Sequence, residues 1–117
     1  MSIQISIETV EATYELLRTT EPFKRWKLPE ADDISFRISR DNNNRGEFHV
    51  DAKGIPWITA NQKYHSTLDE LLKTVAHEMC HLVEYRAGAR NDVQHGYIFN
   101  DLANIVCKRH SFDRGAF

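Results

Sequence analysis

Cysteine is nearly missing from this chain. Its two residues, Cys80 and Cys107, form no C-x-x-C pair and are too few for a disulfide framework. A disulfide-built secreted scaffold is thereby excluded, and a reducing, cytoplasmic setting is expected. No stretch approaches the roughly 18 consecutive apolar residues of a membrane span. Residues 1–10 hold no basic segment leading into an apolar one, so no signal peptide is expected. Neither sign of charge dominates: 15 Lys+Arg face 17 Asp+Glu, a net charge of -2. That balance excludes a protein that holds nucleic acid by bulk positive charge, while leaving a local basic patch open. Five glycines and three prolines leave no linker, repeat or low-complexity tract. What remains is ordinary globular composition, 41% hydrophobic and 27% charged over 117 residues. It predicts one domain, residues 1–117, with one core.

Periodicity outlines the elements. Ile7, Val10, Tyr14 and Leu17 recur at helical spacing and predict an amphipathic helix over residues 6–19. Residues 21–33 read as an ordered connection pinned by Phe23 and Trp26. Three short alternating runs follow, Ile34/Phe36/Ile38, Phe48/Val50/Ala52 and residues 55–60, punctuated by asparagine and glycine. They predict an antiparallel meander with one buried face. Pro56 lacks an N–H and predicts that the third run is an edge strand. Ser66-Thr67, with Asp69 and Glu70 three residues on, reads as a capping box opening a long helix. Gly88 reads as its C-terminal cap. A polar loop over 88–94 leads to a last helix over about 95–109, with Ile98, Leu102, Ile105 and Val106 on its buried side. The tail from Ser111 is expected to fray.

The chemistry lies in the long helix, which reads His77-Glu78-Met79-Cys80-His81. Histidines four apart project from one helical face and can ligate one zinc ion. Glu78, turned about 100° from His77, can reach a metal-bound water instead of the metal. This is the H-E-x-x-H arrangement of zinc hydrolases. Met79, Cys80 and Leu82 are uncharged, as a buried metal helix requires.

A catalytic zinc site needs a third protein ligand and leaves the fourth position to water. The candidate is His95, which opens the last helix as His95-Gly96-Tyr97-Ile98-Phe99 and can return to the metal through a helical hairpin. Gly96 permits close backbone approach. Two rivals stay open. Glu84 lies on the line of His77 and His81 one turn beyond and suits a partner to a ligand better than a ligand. Asp101 reaches the metal only if the hairpin packs differently.

His77-Glu78-Met79-Cys80-His81 followed after this spacer by His95-Gly96-x-x-Phe99 resembles the SprT-like zinc metallopeptidase domain. The likeness extends upstream to Arg45-Gly46-Glu47-Phe48 and the run ending in Ala60-Asn61, and so covers roughly residues 34–110. It does not include the paired cysteines of the C-terminal zinc ribbon that many members carry. The resemblance implies an α+β, zincin-like metallopeptidase domain. Its parts are a small antiparallel or mixed three-stranded sheet, an N-terminal helix, the H-E-x-x-H helix and a C-terminal helix. It further implies one catalytic Zn²⁺ and protein substrates associated with or crosslinked to DNA. The residues assign His77, His81 and His95 to the metal and Glu78 to catalysis. The run at 55–61 is assigned to pairing with extended substrate.

The other residues read more plainly. Cys80 and Cys107 suit the core, His49 a solvated strand face, and His110 a cationic helix end. Tyr64, His65 and Tyr97 are candidates to border the cleft and donate to a transition state. Lys24, Arg25 and Lys27, with Arg37, Arg40 and Arg45, are interleaved with Phe23 and Trp26, a composition suited to weak single-stranded DNA binding. Two alternatives to an enzyme stay open, a non-catalytic zinc-containing binding module and a nucleic-acid accessory protein. Oligomeric state is not legible.

Overall fold

A computed structural model describes residues 4–65, 67–88 and 95–117. Ser66 and most of the loop expected at 88–94 lie outside the described residues. The elements are helix α1 (Ile7–Arg18), the single turn α2 (Phe23–Trp26), strands β1 (Ser35–Ser39), β2 (Gly46–Val50) and β3 (Pro56–Asn61), and helices α3 (Leu68–Arg86) and α4 (Tyr97–His110). The class is α+β, with a three-stranded mixed sheet. None of the described helices is long and apolar enough to cross a membrane.

Helix α1 starts where the Ser6 side chain accepts the Thr9 N–H at 3.2 Å. It buries Val10, Tyr14 and Leu17 but leaves Ile7 exposed. The connection after it is pinned as expected. Phe23 is fully buried with Trp26 set edge-on against it, and the Glu15 carboxylate accepts the Ala31 N–H at 2.7 Å.

The sheet corrects the expected meander. Its order is β1-β3-β2, with β3 parallel to β1 and antiparallel to β2. The run expected at an edge is therefore central. Pro56 stands at its first position, opposite Val50, where a missing donor is tolerated. Ile58, Thr59, Ala60 and Asn61 beyond it are continuously buried, the pattern of a strand flanked on both sides. The β2–β3 turn closes on Asp51, whose carboxylate accepts the N–H groups of Lys53 and Ile55 at 2.8 and 3.0 Å, with Gly54 at φ 81°.

Helix α3 packs against α1, β2, β3 and α4 and carries the centre of the core. Thr67 and Glu70 complete the expected capping box: the Thr67 hydroxyl accepts the Glu70 N–H at 3.3 Å, and the Glu70 carboxylate accepts the Thr67 N–H at 3.1 Å. Gly88, at φ 79°, follows the C-cap residue Ala87 in the left-handed conformation. Leu71, Val75, Ala76, Met79, Cys80 and Leu82 are fully buried.

Helix α4 is rotated from the expected face. Phe99, Ala103, Val106 and Cys107 are buried, whereas Ile105 is exposed. It begins at Tyr97, so His95 precedes the N-cap Gly96 instead of opening the helix. The tail does not fray. Phe112 and Phe117 pack on the core, and Arg114 donates to Asn104 and Asn100 on α4, both at 2.8 Å. His110, at the end of α4, is half-buried: burial lowers its pKa, and its ring stacks on Phe112.

Candidate metal centre

The mid-helix position of His77 and His81 fixes both imidazoles on the outward side of α3, while Val75, Ala76, Met79 and Cys80 bury the opposite side. His95 reaches them from the far end of the hairpin. Its backbone lies at φ 52°, a left-handed conformation that histidine adopts more readily than most side chains but still at some strain. The His95 Nε2 stands 3.2 Å from the Nε2 of His77 and 3.2 Å from the Nε2 of His81. One nitrogen from each of the three histidines falls within 4.8 Å of the other two.

The other ring nitrogen of His81 is already engaged: its Nδ1 lies 3.1 Å from Glu84 Oε1. Such a partner fixes the tautomer, so that the Nε2 lone pair points into the shared space. The His77 ring packs against Phe117, with centroids 5.3 Å apart. Burial, followed by repulsion from the neighbouring imidazoles, lowers the His77 pKa to about 4; burial and His95 lower that of His81 to about 4. Both rings are neutral at pH 7 and ready to donate electron pairs. Nitrogen atoms around 3.2 Å apart match the edge of a tetrahedron with zinc–nitrogen bonds of about 2.0–2.1 Å. The donor set therefore fits a metal ion.

Phe99 is the floor of this cluster. Its ring centroid lies 4.9, 4.6 and 4.3 Å from those of His77, His81 and His95. It is buried and lies in the first turn of α4, so the helix that follows His95 also backs all three rings.

Glu78 turns toward the sheet. It is 6% exposed, and burial, with a smaller contribution from Glu47, raises its pKa to about 8. Gly46 of β2 makes room for it. A Cβ there would lie 2.6 Å from Thr74 Cγ2, 3.0 Å from the Thr59 carbonyl oxygen and 3.1 Å from Glu78 Oε2. The requirement at Gly46 is space, a signal that the Arg45-Gly46 pair contains but that spacing alone does not reveal.

Glu78 and the three histidines share a cleft of about 1060 Å³, walled on one side by β2 and on another by residues 115–117. Of the two rival ligands, Glu84 lines the cleft as the partner of His81, whereas Asp101 is exposed and does not line it. Tyr64, His65 and Tyr97 do not line it either. Tyr97 is 78% exposed, and both ring nitrogens of buried His65 are taken, by the Asn61 carbonyl at 2.6 Å and the Thr74 hydroxyl at 2.7 Å. His49 is exposed as expected and stacks on Trp57.

A mixed three-stranded sheet crossed by a helix that presents two histidines to a third defines a small α+β domain with a candidate metal centre. The model of the SprT-like family matches residues 13–114, nearly the whole length, and the chain belongs to that family. No curated protein and no solved structure was found to match the chain.

Proposed function

We propose that this protein is a zinc-dependent endopeptidase with a zincin-like core spanning residues 1–117. The observation that carries the proposal is the convergence of three Nε2 atoms beside a buried carboxyl in an open cleft. His77, His81 and His95 would hold the ion. When bound, zinc lowers the pKa of a coordinated water toward about 7 and polarises a carbonyl oxygen.

The chain's own contribution centres on Glu78. Without a cation its carboxyl is held neutral by burial. Positive charge held by the three imidazoles opposes that effect and favours the carboxylate. Glu78 then accepts a proton from the attacking water and passes it to the leaving amine. Glu84 holds His81 in its tautomer throughout.

Substrate would lie along β2. The expected pairing of substrate with residues 55–61 is not available, because β3 is bonded on both sides. Among the described residues, strand β2 pairs with β3 along one edge only, and Gly46–Val50 all line the cleft. An extended or unstructured polypeptide can add to that edge through main-chain hydrogen bonds, with loose sequence preference.

The family likeness extends the proposal to proteins associated with or crosslinked to DNA. Lys24, Arg25, Lys27, Arg37, Arg40 and Arg45 are all exposed, which supports weak single-stranded DNA contact. Arg25 is paired with Glu21 and Arg40 with Gln62, so the patch is only partly free. Affinity for single strands that falls steeply with salt is expected, and no binding at low salt would remove this extension.

The deciding experiment is Glu78→Gln, which keeps shape and removes the base. Zinc content should be unchanged, while hydrolysis of an unfolded protein, with and without single-stranded DNA, falls by about 10²-fold or more. Full zinc with no hydrolysis by the unaltered chain in either condition would favour a zinc-containing binding module instead.

A further inference from the structure

The segment after α4 is built into the cleft wall, and nothing in the H-E-x-x-H pattern requires it. The chain turns at Ser111, φ 60°, where the Phe112 N–H donates to the Cys107 carbonyl at 3.0 Å. Asp113 caps the following turn by accepting the Gly115 N–H at 3.1 Å. Arg114 clamps that turn to α4 through Asn100 and Asn104. The outcome is the placement of Phe117 against His77, with ring centroids 5.3 Å apart. Phe112 stacks behind the Phe117 ring at 6.1 Å.

His81 has a partner from its own helix, Glu84, three residues away. His77 has none there. Besides Phe99, which all three imidazoles share, the phenyl ring packed on it is that of Phe117, forty residues further along the chain. We infer that residues 112–117 are a positioning device for the metal centre, in which Arg114 and Phe117 hold His77 in its ligating orientation. The inference rests on the proposed zinc site. It adds that the site is incomplete on α3 and α4 alone, and that zinc affinity can be adjusted from a segment carrying no ligand.

The test uses the full chain with Arg114→Ala, Phe117→Ala and the conservative Phe117→Tyr, each alone and combined with His77→Ala. Zinc affinity is measured by chelator competition, and ligand geometry by the absorption spectrum of the cobalt(II)-substituted protein. Arg114→Ala and Phe117→Ala should each weaken zinc about 10- to 100-fold, the range for an outer partner of a ligand, and shift the cobalt bands. Phe117→Tyr should retain both properties. In the His77→Ala background the same substitutions should leave the residual cobalt affinity unchanged, because their effect runs through His77. Zinc affinity unchanged in both alanine variants overturns the inference while leaving the metallopeptidase reading intact. Equal losses with and without His77 also overturn it, by reducing the segment to general structural support. An unaltered chain that binds no zinc removes both.

Discussion

Two kinds of histidine touch α3: His65, which precedes the helix and bonds Thr74, and His77 and His81, which stand within it. His65 is buried, and burial lowers its pKa, as it does for His77 and His81. Yet both of its nitrogens are spent on the protein, one on the Asn61 carbonyl and the other on the Thr74 hydroxyl. His81 spends Nδ1 on Glu84, and the Nε2 atoms of His77 and His81 both face the Nε2 of His95, which has at most one proton for the two of them. A histidine whose two nitrogens are satisfied joins β3 to α3. A histidine left half satisfied, beside others in the same condition, is a ligand in waiting. Burial and a lowered pKa do not separate the two roles; counting partners does.

The sharpest way to break this comparison is to remove one histidine of each kind. His81→Ala should weaken zinc by more than about 10²-fold, beyond the loss from an outer partner, and should change the stability of the metal-free protein little. His65→Ala should leave zinc affinity within a few-fold. It should cost about 2–3 kcal/mol of stability, since it strands the Thr74 hydroxyl and the Asn61 carbonyl in the interior. Chelator competition and urea unfolding of the metal-free protein read the two effects. Zinc loss in His65→Ala without unfolding would erase the distinction.

A second test uses pH. The Glu78 carboxyl is raised from about 4.5 to about 8, so its contribution to the metal-free fold is complete below pH 4.5 and is lost as pH rises through about 8. His77 and His81 are depressed from 6.5 to about 4, so their contribution is present above pH 6.5 and is lost as pH falls through about 4. Between pH 6.5 and 8 only Glu78 among these groups acts, and stability should decline by up to about 1.4 kcal/mol per pH unit. Glu78→Gln should flatten that decline and steepen the rise between pH 4.5 and 6.5, where Glu78 opposes the two histidines. A decline of equal slope in the variant would assign it to other groups.

The smallest effect concerns Thr74, which binds His65 through its hydroxyl and meets Gly46 through its methyl. Gly46→Ala should cost about 1–3 kcal/mol through crowding and should also slow hydrolysis, because the added methyl crowds Glu78 as well. Gly54→Ala meets nothing within 4 Å but holds φ 81°. It should cost about 1 kcal/mol and leave the rate alone. Equal rates in both variants would show that the space beside Glu78 is not needed.

Much of this site was legible because helical spacing is rigid. His77 and His81 share a face, and Glu84 falls one turn on, by arithmetic alone. His95 was legible from its pattern with Gly96 and Phe99, although not its backbone conformation or the role of the Phe99 ring beneath all three imidazoles. The sheet was read less well. Pro56 argued for an edge, but a strand's first residue is exempt from that argument, and the buried run behind it carried the better signal. Strand order depends on which chain segments return beside each other, which local alternation does not encode. The docked tail was missed for the same reason, since Arg114 finds Asn100 and Asn104 only once α4 exists to present them.

The left-handed backbone of His95 has a consequence for how this sequence can change. An L-residue with a β-carbon at φ 52° carries strain on the order of 1 kcal/mol, which glycine would relieve and asparagine would ease. Selection on the fold alone would therefore drift away from histidine at this position. Under the proposed zinc reading, bound metal would have to return more free energy than this backbone loses. Residue 95 is then the ligand position whose replacement would cost the metal-free fold least, since His77 and His81 stand on unstrained helical backbone.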